Sequence, residues 1–106
     1  MKLFEITDAL TPEQLKWLTD MGIENYSYEN GKVNVQGDVD ISGKKLTSIP
    51  VQFGTVSGSF YCYSNDLTSL VGAPQEVGRG FYCANNKFKS EPEHSFINIG
   101  GDFKWR

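Results

Sequence analysis

Few residues of this 106-residue chain are of types that carry chemistry, and their spacing decides what each can do. His94 is the single histidine. It sits in the Glu- and Pro-rich stretch "SEPEHSF" with no Cys or His at metal-ligand spacing beside it. A solvated loop side chain is therefore expected rather than a ligand or a general base. Asp38 and Asp40 lie two apart and would share an outward face, but no further ligands converge on them, so a solvated face is favoured over a cation site. The glycines, among them Gly78, Gly80, Gly100 and Gly101, form neither G-x-G-x-x-G nor a P-loop between a strand and a long helix. No nucleophile, base and orienting group can be assembled from these residues, and the chain reads as a non-enzyme without cofactor or metal.

The two cysteines, Cys62 and Cys83, stand 21 residues apart rather than as C-x-x-C. Strands about 4.8 Å apart would bring them close enough for a disulfide. In a reducing compartment two buried free thiols serving as small apolar residues are the favoured reading.

That spacing is the period of the chain. "VDISGKKLTSIP" begins at Val39, "FYCYSNDLTSL" at Phe60 and "FYCANNKFKS" at Phe81, so that Val39, Phe60 and Phe81 form one column. Ile41, Cys62 and Cys83 form a second, Leu46, Leu67 and Phe88 a third, and Val35, Val56 and Val77 a fourth. Such periodicity implies stacked supersecondary units, each too small to bury its apolar face alone. In each unit alternation turns Phe60 and Cys62 inward and leaves Ser59, Tyr61 and Tyr63 outward. Asn65 and Asn86 share the strand exit, where an inward amide can satisfy backbone groups of adjacent turns. After Phe88 the pattern loosens, then Ile99, Phe103 and Trp105 recover it at a spacing of 22 from Val77, Phe81 and Cys83.

Residues 1–34 do not repeat and read as an N-terminal cap on a solenoid spanning 35–106, the two forming one globular domain. Thr11, Pro12 and Gln14 make a helix start with a capping box, and Leu10 and Leu15 have the spacing of a hydrophobic staple. The helix would present Leu15, Leu18 and Met21, with Trp17 beside them, and stop at Gly22. In "YSYENGKVNV" the Asn30-Gly31 pair predicts a type I′ hairpin with Tyr26, Tyr28, Val33 and Val35 on one face. At the other end the chain stops just after the inward pair Phe103 and Trp105. Either that edge pairs with another copy to form a homodimer, or "SEPEHSFINIG" folds back over it with Phe96 and Ile97 as contacts.

Read across the repeats, the positions between inward residues are Asp40, Tyr61, Tyr82 and Lys104, and two residues on Ser42, Tyr63, Ala84 and Arg106. Parallel strands would set Tyr61 against Tyr82 with Tyr63 alongside. Exposed tyrosines bury large area at low entropic cost, so this face is the candidate protein-binding site. Its members are Asp38, Asp40, Tyr61, Tyr63, Tyr82, Lys104 and Arg106.

The net charge of −3 and a sequence pI near 5.0 argue against a grip on phosphate backbones, so nucleic acid is not expected as the chief partner. At 39% apolar and 22% charged residues the composition indicates neither disorder nor a membrane span. "MKLFEITDALTPEQL" carries acids where a secretory signal needs an unbroken apolar stretch, and a cytoplasmic setting is expected.

The pattern L-x-x-L-x-L-x-x-N-x-L lies over "SGSFYCYSNDL" (57–67) and "GRGFYCANNKF" (78–88), with the first Leu replaced by Ser57 or Gly78. Over roughly 33–106 the chain thus resembles the leucine-rich repeats. With "LTSLVGAPQEVG" and aromatic-x-Cys strands, it looks like the small leucine-rich-repeat-like proteins of tailed bacteriophages. The resemblance implies a short right-handed solenoid with a parallel β-sheet, and with the helix and hairpin read from residues 1–34 as its N-terminal cap the chain is expected to be an α+β repeat protein. It further implies a phage factor that binds a bacterial host protein of defence or metabolism and modulates or inhibits it. A virion-associated or structural role is the first alternative, suggested by Leu3-Phe4-Glu5, which resembles short prohead-protease sites. Single-stranded nucleic-acid binding through the tyrosines is the second.

Overall fold

The computed structural model describes residues 9–106; Leu3-Phe4-Glu5 and the acidic N-terminal stretch before Ala9 lie outside the described residues. Helix α1 (Pro12–Asp20) starts with the expected capping box. Gln14 N–H donates to Thr11 Oγ1 at 3.1 Å, while Thr11 N–H donates to Gln14 Oε1 at 2.9 Å. It ends in a Schellman motif: Gly22 takes φ +75°, its N–H bonds the Thr19 carbonyl, and Ile23 N–H bonds the Leu18 carbonyl, each at 2.9 Å. The buried stripe runs through Gln14, Trp17, Leu18 and Met21. Gln14 Nε2 reaches the Pro50 carbonyl at 3.0 Å, and the Trp17 ring packs 6.2 Å from Phe53. Leu15 lies about 100° from Gln14 around the helix and is 44% exposed, so the expected staple and the Leu15 contact are not made.

The hairpin β1 (Tyr26–Glu29) and β2 (Lys32–Val35) pairs Tyr26 with Val35 and Tyr28 with Val33 around Asn30 (φ +54°) and Gly31 (φ +77°), as a type I′ turn requires. The remaining strands are β3 (Val39–Asp40), β4 (Phe53–Val56), β5 (Phe60–Tyr61), β6 (Glu76–Val77), β7 (Phe81–Tyr82), β8 (Asn98–Ile99) and β9 (Phe103–Lys104). They stack as a β-solenoid, but in two sheets rather than the single parallel sheet expected. The first sheet is ordered β1-β2-β4-β6-β8 and the second β3-β5-β7-β9, with every pair parallel except β1–β2. The Val35, Val56 and Val77 column is the inward row of the first sheet, and β2 serves both hairpin and solenoid, so the 34/35 boundary falls inside one strand.

Between the two sheets, successive coils approach so closely at Gly78 and Gly100 that neither position can carry a side chain. A Cβ on Gly78 would run into the Ser57 carbonyl, and one on Gly100 into that of Gly78. The backbone ladder continues into this bend, with Gly78 N–H on the Val56 carbonyl at 2.9 Å and Gly100 N–H on that of Val77 at 2.8 Å, and gives way to side-chain acceptors at the Ser59 and Gly80 N–H groups.

The inward columns are buried as expected: Val39, Ile41, Val56, Phe60, Cys62, Val77, Phe81 and Cys83 are all 1% exposed or less. A spine of rings runs along the axis, from Trp17 through Phe53, Phe60 and Phe81 to Phe103, with centroids 5.2–6.2 Å apart. The one-residue lengthening from 21 to 22 is confirmed by the pairs Val77–Ile99 and Phe81–Phe103. Here His94 departs from expectation. It is no solvated loop residue: its ring stacks on Phe103 at 3.7 Å and 15°, extending the spine by one member. The segment before β8 folds back, but through His94 and buried Ile97; Phe96 remains 54% exposed.

Candidate functional site

The second sheet turns its outward face to solvent, and the registers Asp40–Tyr61–Tyr82–Lys104 assemble the expected row. Tyr61 and Tyr82 stack at 5.3 Å and 15°, and Tyr63 meets Tyr61 edge-on at 6.4 Å and 86°. The small Ala84 leaves a depression between Tyr63 and Arg106. The result is an open groove of about 450 Å³ lined by Tyr61, Tyr63, Tyr82, Ala84, Lys104 and Arg106. Gly80 makes room for it: a side chain there would collide with the Tyr82 ring and hydroxyl, so glycine lets the ring lie along the strand.

Five of the seven expected residues therefore converge. Lys104 and Arg106 close the groove at the C-terminal end and make no ion pair among the described residues; the Arg106 guanidinium lies 5.0 Å over the Trp105 ring. The aspartates stand apart from it. Asp40 is exposed next to Tyr61 in register, its carboxylate accepting from the N–H and hydroxyl of Ser42. Asp38 turns along the solenoid instead, and its carboxylate accepts from Ser59 N–H of the next coil at 2.8 Å. Ser59, expected outward, is 7% exposed, and its hydroxyl accepts from Gly80 N–H at 3.2 Å. Column by column, Asp38 and Ser59 satisfy donors that the bend between sheets leaves without a ladder partner.

Beneath the face, Asn65 accepts through Oδ1 from the N–H groups of Lys44 and Leu46, both at 2.9 Å. Its Nδ2 donates to the carbonyls of Ile41 at 2.9 Å and Cys62 at 3.1 Å. Asn86 repeats the arrangement one coil on, accepting from Leu67 N–H and donating to the Cys62 and Cys83 carbonyls. Gly43, Ser64 and Asn85 precede this turn in the left-handed region at φ +67°, +58° and +57°, which releases the chain from the strand at the same point in each coil. Cys62 and Cys83 are buried free thiols in contact; the hydrogen bond to Cys83, followed by burial, pushes the Cys62 thiol well above the usual range. Such a thiol is a poor nucleophile. Ala84 and Gly80, which shape the groove, were missed as contributors because small residues advertise only the absence of a side chain. No helix among the described residues is long and apolar enough to cross a membrane, and no cluster of three potential metal ligands occurs among them. Comparison with known proteins returned no matching family model, curated protein or solved structure.

Proposed function

We propose that the protein is a non-enzymatic binding module that docks a protein partner on the outward face of its second sheet. The observation that carries this is the stacked Tyr61–Tyr82 pair with Tyr63 on its edge, open to solvent beside two cations that make no ion pair among the described residues. Aromatic rings already held by a rigid sheet lose little entropy on binding, and tyrosine and arginine are the types that dominate interface energetics. The leucine-rich-repeat resemblance, with its aromatic-x-Cys strands, gives the concrete form: a cytoplasmic phage factor that binds and modulates or inhibits a bacterial host protein.

The test compares wild type with Tyr61→Ala/Tyr82→Ala for capture of a host partner and then for affinity. Each truncation is expected to weaken binding by about 1–3 kcal/mol with the urea midpoint nearly unchanged. Equal affinity in the double variant would place the interface elsewhere. A second reading, single-stranded nucleic acid, is favoured by Lys104 and Arg106 lying in the same groove as the rings, a combination suited to stacked bases. Against it stand the net charge of −3 and Asp40 beside Tyr61. Salt-dependent binding of a labelled oligonucleotide, lost in the same variant, would select it over the protein partner.

A further inference from the structure

The two most exposed large apolar side chains among the described residues, Val71 (78%) and Phe96 (54%), are far apart in sequence yet line one groove of about 480 Å³. The turn 68–71 forms one wall and the segment 87–96 the other, and no lining residue is shared with the tyrosine face. Charge on the second wall is arranged by sign: Lys87 and Lys89 on one side of Ser90, Glu91 and Glu93 on the other, all four exposed. Between them Phe88 and Pro92 are half-buried.

We infer that this groove is a self-association surface, joining two copies of the chain antiparallel about a two-fold axis near Ser90. A two-fold interface sets a surface against itself, so it must be its own complement. Reversal about Ser90 sets Lys89 against Glu91 of the second copy and Lys87 against Glu93, and each pair occurs twice. A patch of one sign would repel itself, and one without symmetry would leave the charges mismatched. The apolar groove carrying Val71 and Phe96 lies beside this row and closes against its counterpart. Present commitments of the charges are weak: Lys87 stands 3.9 Å from Asp66 and Glu91 3.7 Å from His94, all exposed except the histidine, while Glu93 accepts from Ser95. Lys89 makes no ion pair among the described residues. Because the tyrosine face lies outside this surface, the pair would present two binding faces, and a partner with two sites would gain avidity.

Sedimentation equilibrium from micromolar to millimolar protein, at low and high salt, tests it. The intact protein is expected to dimerise, less so at high salt because the rim pairs are screened. Lys87→Glu/Lys89→Glu and Glu91→Lys/Glu93→Lys should each weaken dimerisation roughly tenfold or more, since four attractive pairs become repulsive. A one-to-one mixture of the two variants should restore a heterodimer. Lys44→Glu/Arg79→Glu, with the same change in net charge as the lysine variant but elsewhere on the surface, should dimerise as the intact protein does. Circular dichroism checks that these surface variants remain folded. A monomeric intact protein, charge variants that dimerise as well as wild type, or a mixture that fails to recover would each overturn the inference.

Discussion

Replacing Asn65 by alanine removes an amide that serves two coils at once, and the cost can be counted group by group. Three backbone groups are left without a partner, the N–H of Lys44, the N–H of Leu46 and the carbonyl of Ile41, whereas the Tyr63 carbonyl, also bonded by this amide, keeps the Gly43 N–H at 3.1 Å. The Cys62 carbonyl keeps a partner too, because Asn86 Nδ2 still donates to it at 3.0 Å. A buried group left without a partner costs about 1–3 kcal/mol. Lys44 is exposed, so water replaces much of its loss, whereas Ile41 is fully buried. The expected destabilisation is about 2–4 kcal/mol, a large share of the stability of a small domain. Asn86→Ala orphans only the Leu67 N–H and the Cys83 carbonyl around a half-buried side chain, for about 1–2 kcal/mol. The double variant should lose about 1 kcal/mol more than the sum, because only then does the Cys62 carbonyl lose both amides. Urea unfolding with unchanged m-values measures all three. Asn65→Ala costing under about 1 kcal/mol, a larger cost at Asn86, or strict additivity would each refute this account of the ladder.

Phe60, fully buried with Phe53 and Phe81 rings at 5.4 and 5.2 Å, should cost about 3–5 kcal/mol as Phe60→Ala in the same assay; a loss below about 1 kcal/mol would remove it from the core. Cys62 and Cys83 should resist alkylation in the native protein and react after denaturation, since burial and their mutual hydrogen bond keep the Cys62 thiol protonated. Rapid native labelling of either would contradict that. The Glu93 carboxyl, hydrogen-bonded by the Ser95 hydroxyl and N–H, should titrate below the ordinary glutamate value by NMR. Its stabilisation of the turn is therefore complete above the ordinary value and is lost as pH falls through the lowered one. In Ser95→Ala the titration should move back up, and an unmoved titration would exclude the hydroxyl as the main cause.

What the sequence alone determined is everything that repeats or that a single residue type dictates. The 21-residue period set the parallel registers, because equal columns can be buried together only when coils stack in step. Thr11-Pro12-x-Gln14 and Asn30-Gly31 specified their own local geometry through capping donors and positive φ. The tyrosine row followed from the same register. Only the tertiary structure decided matters that depend on which coil a residue faces. Strands of two residues such as Glu76–Val77 are too short to show alternation, so the separate sheet that carries the valine column was not legible as a sheet, although the column itself was. Asp38 and Ser59 alternate outward in pattern yet turn to cap the next coil, because the bend between sheets leaves backbone donors there that a neighbouring side chain must satisfy. Leu15 lost its contact to the orientation of α1 over Phe53, and His94 gained one because the returning segment lays its ring on Phe103. Val71 and Phe96 share a groove for the same reason: their proximity is set by the path of two connections in space, which no spacing in the chain encodes.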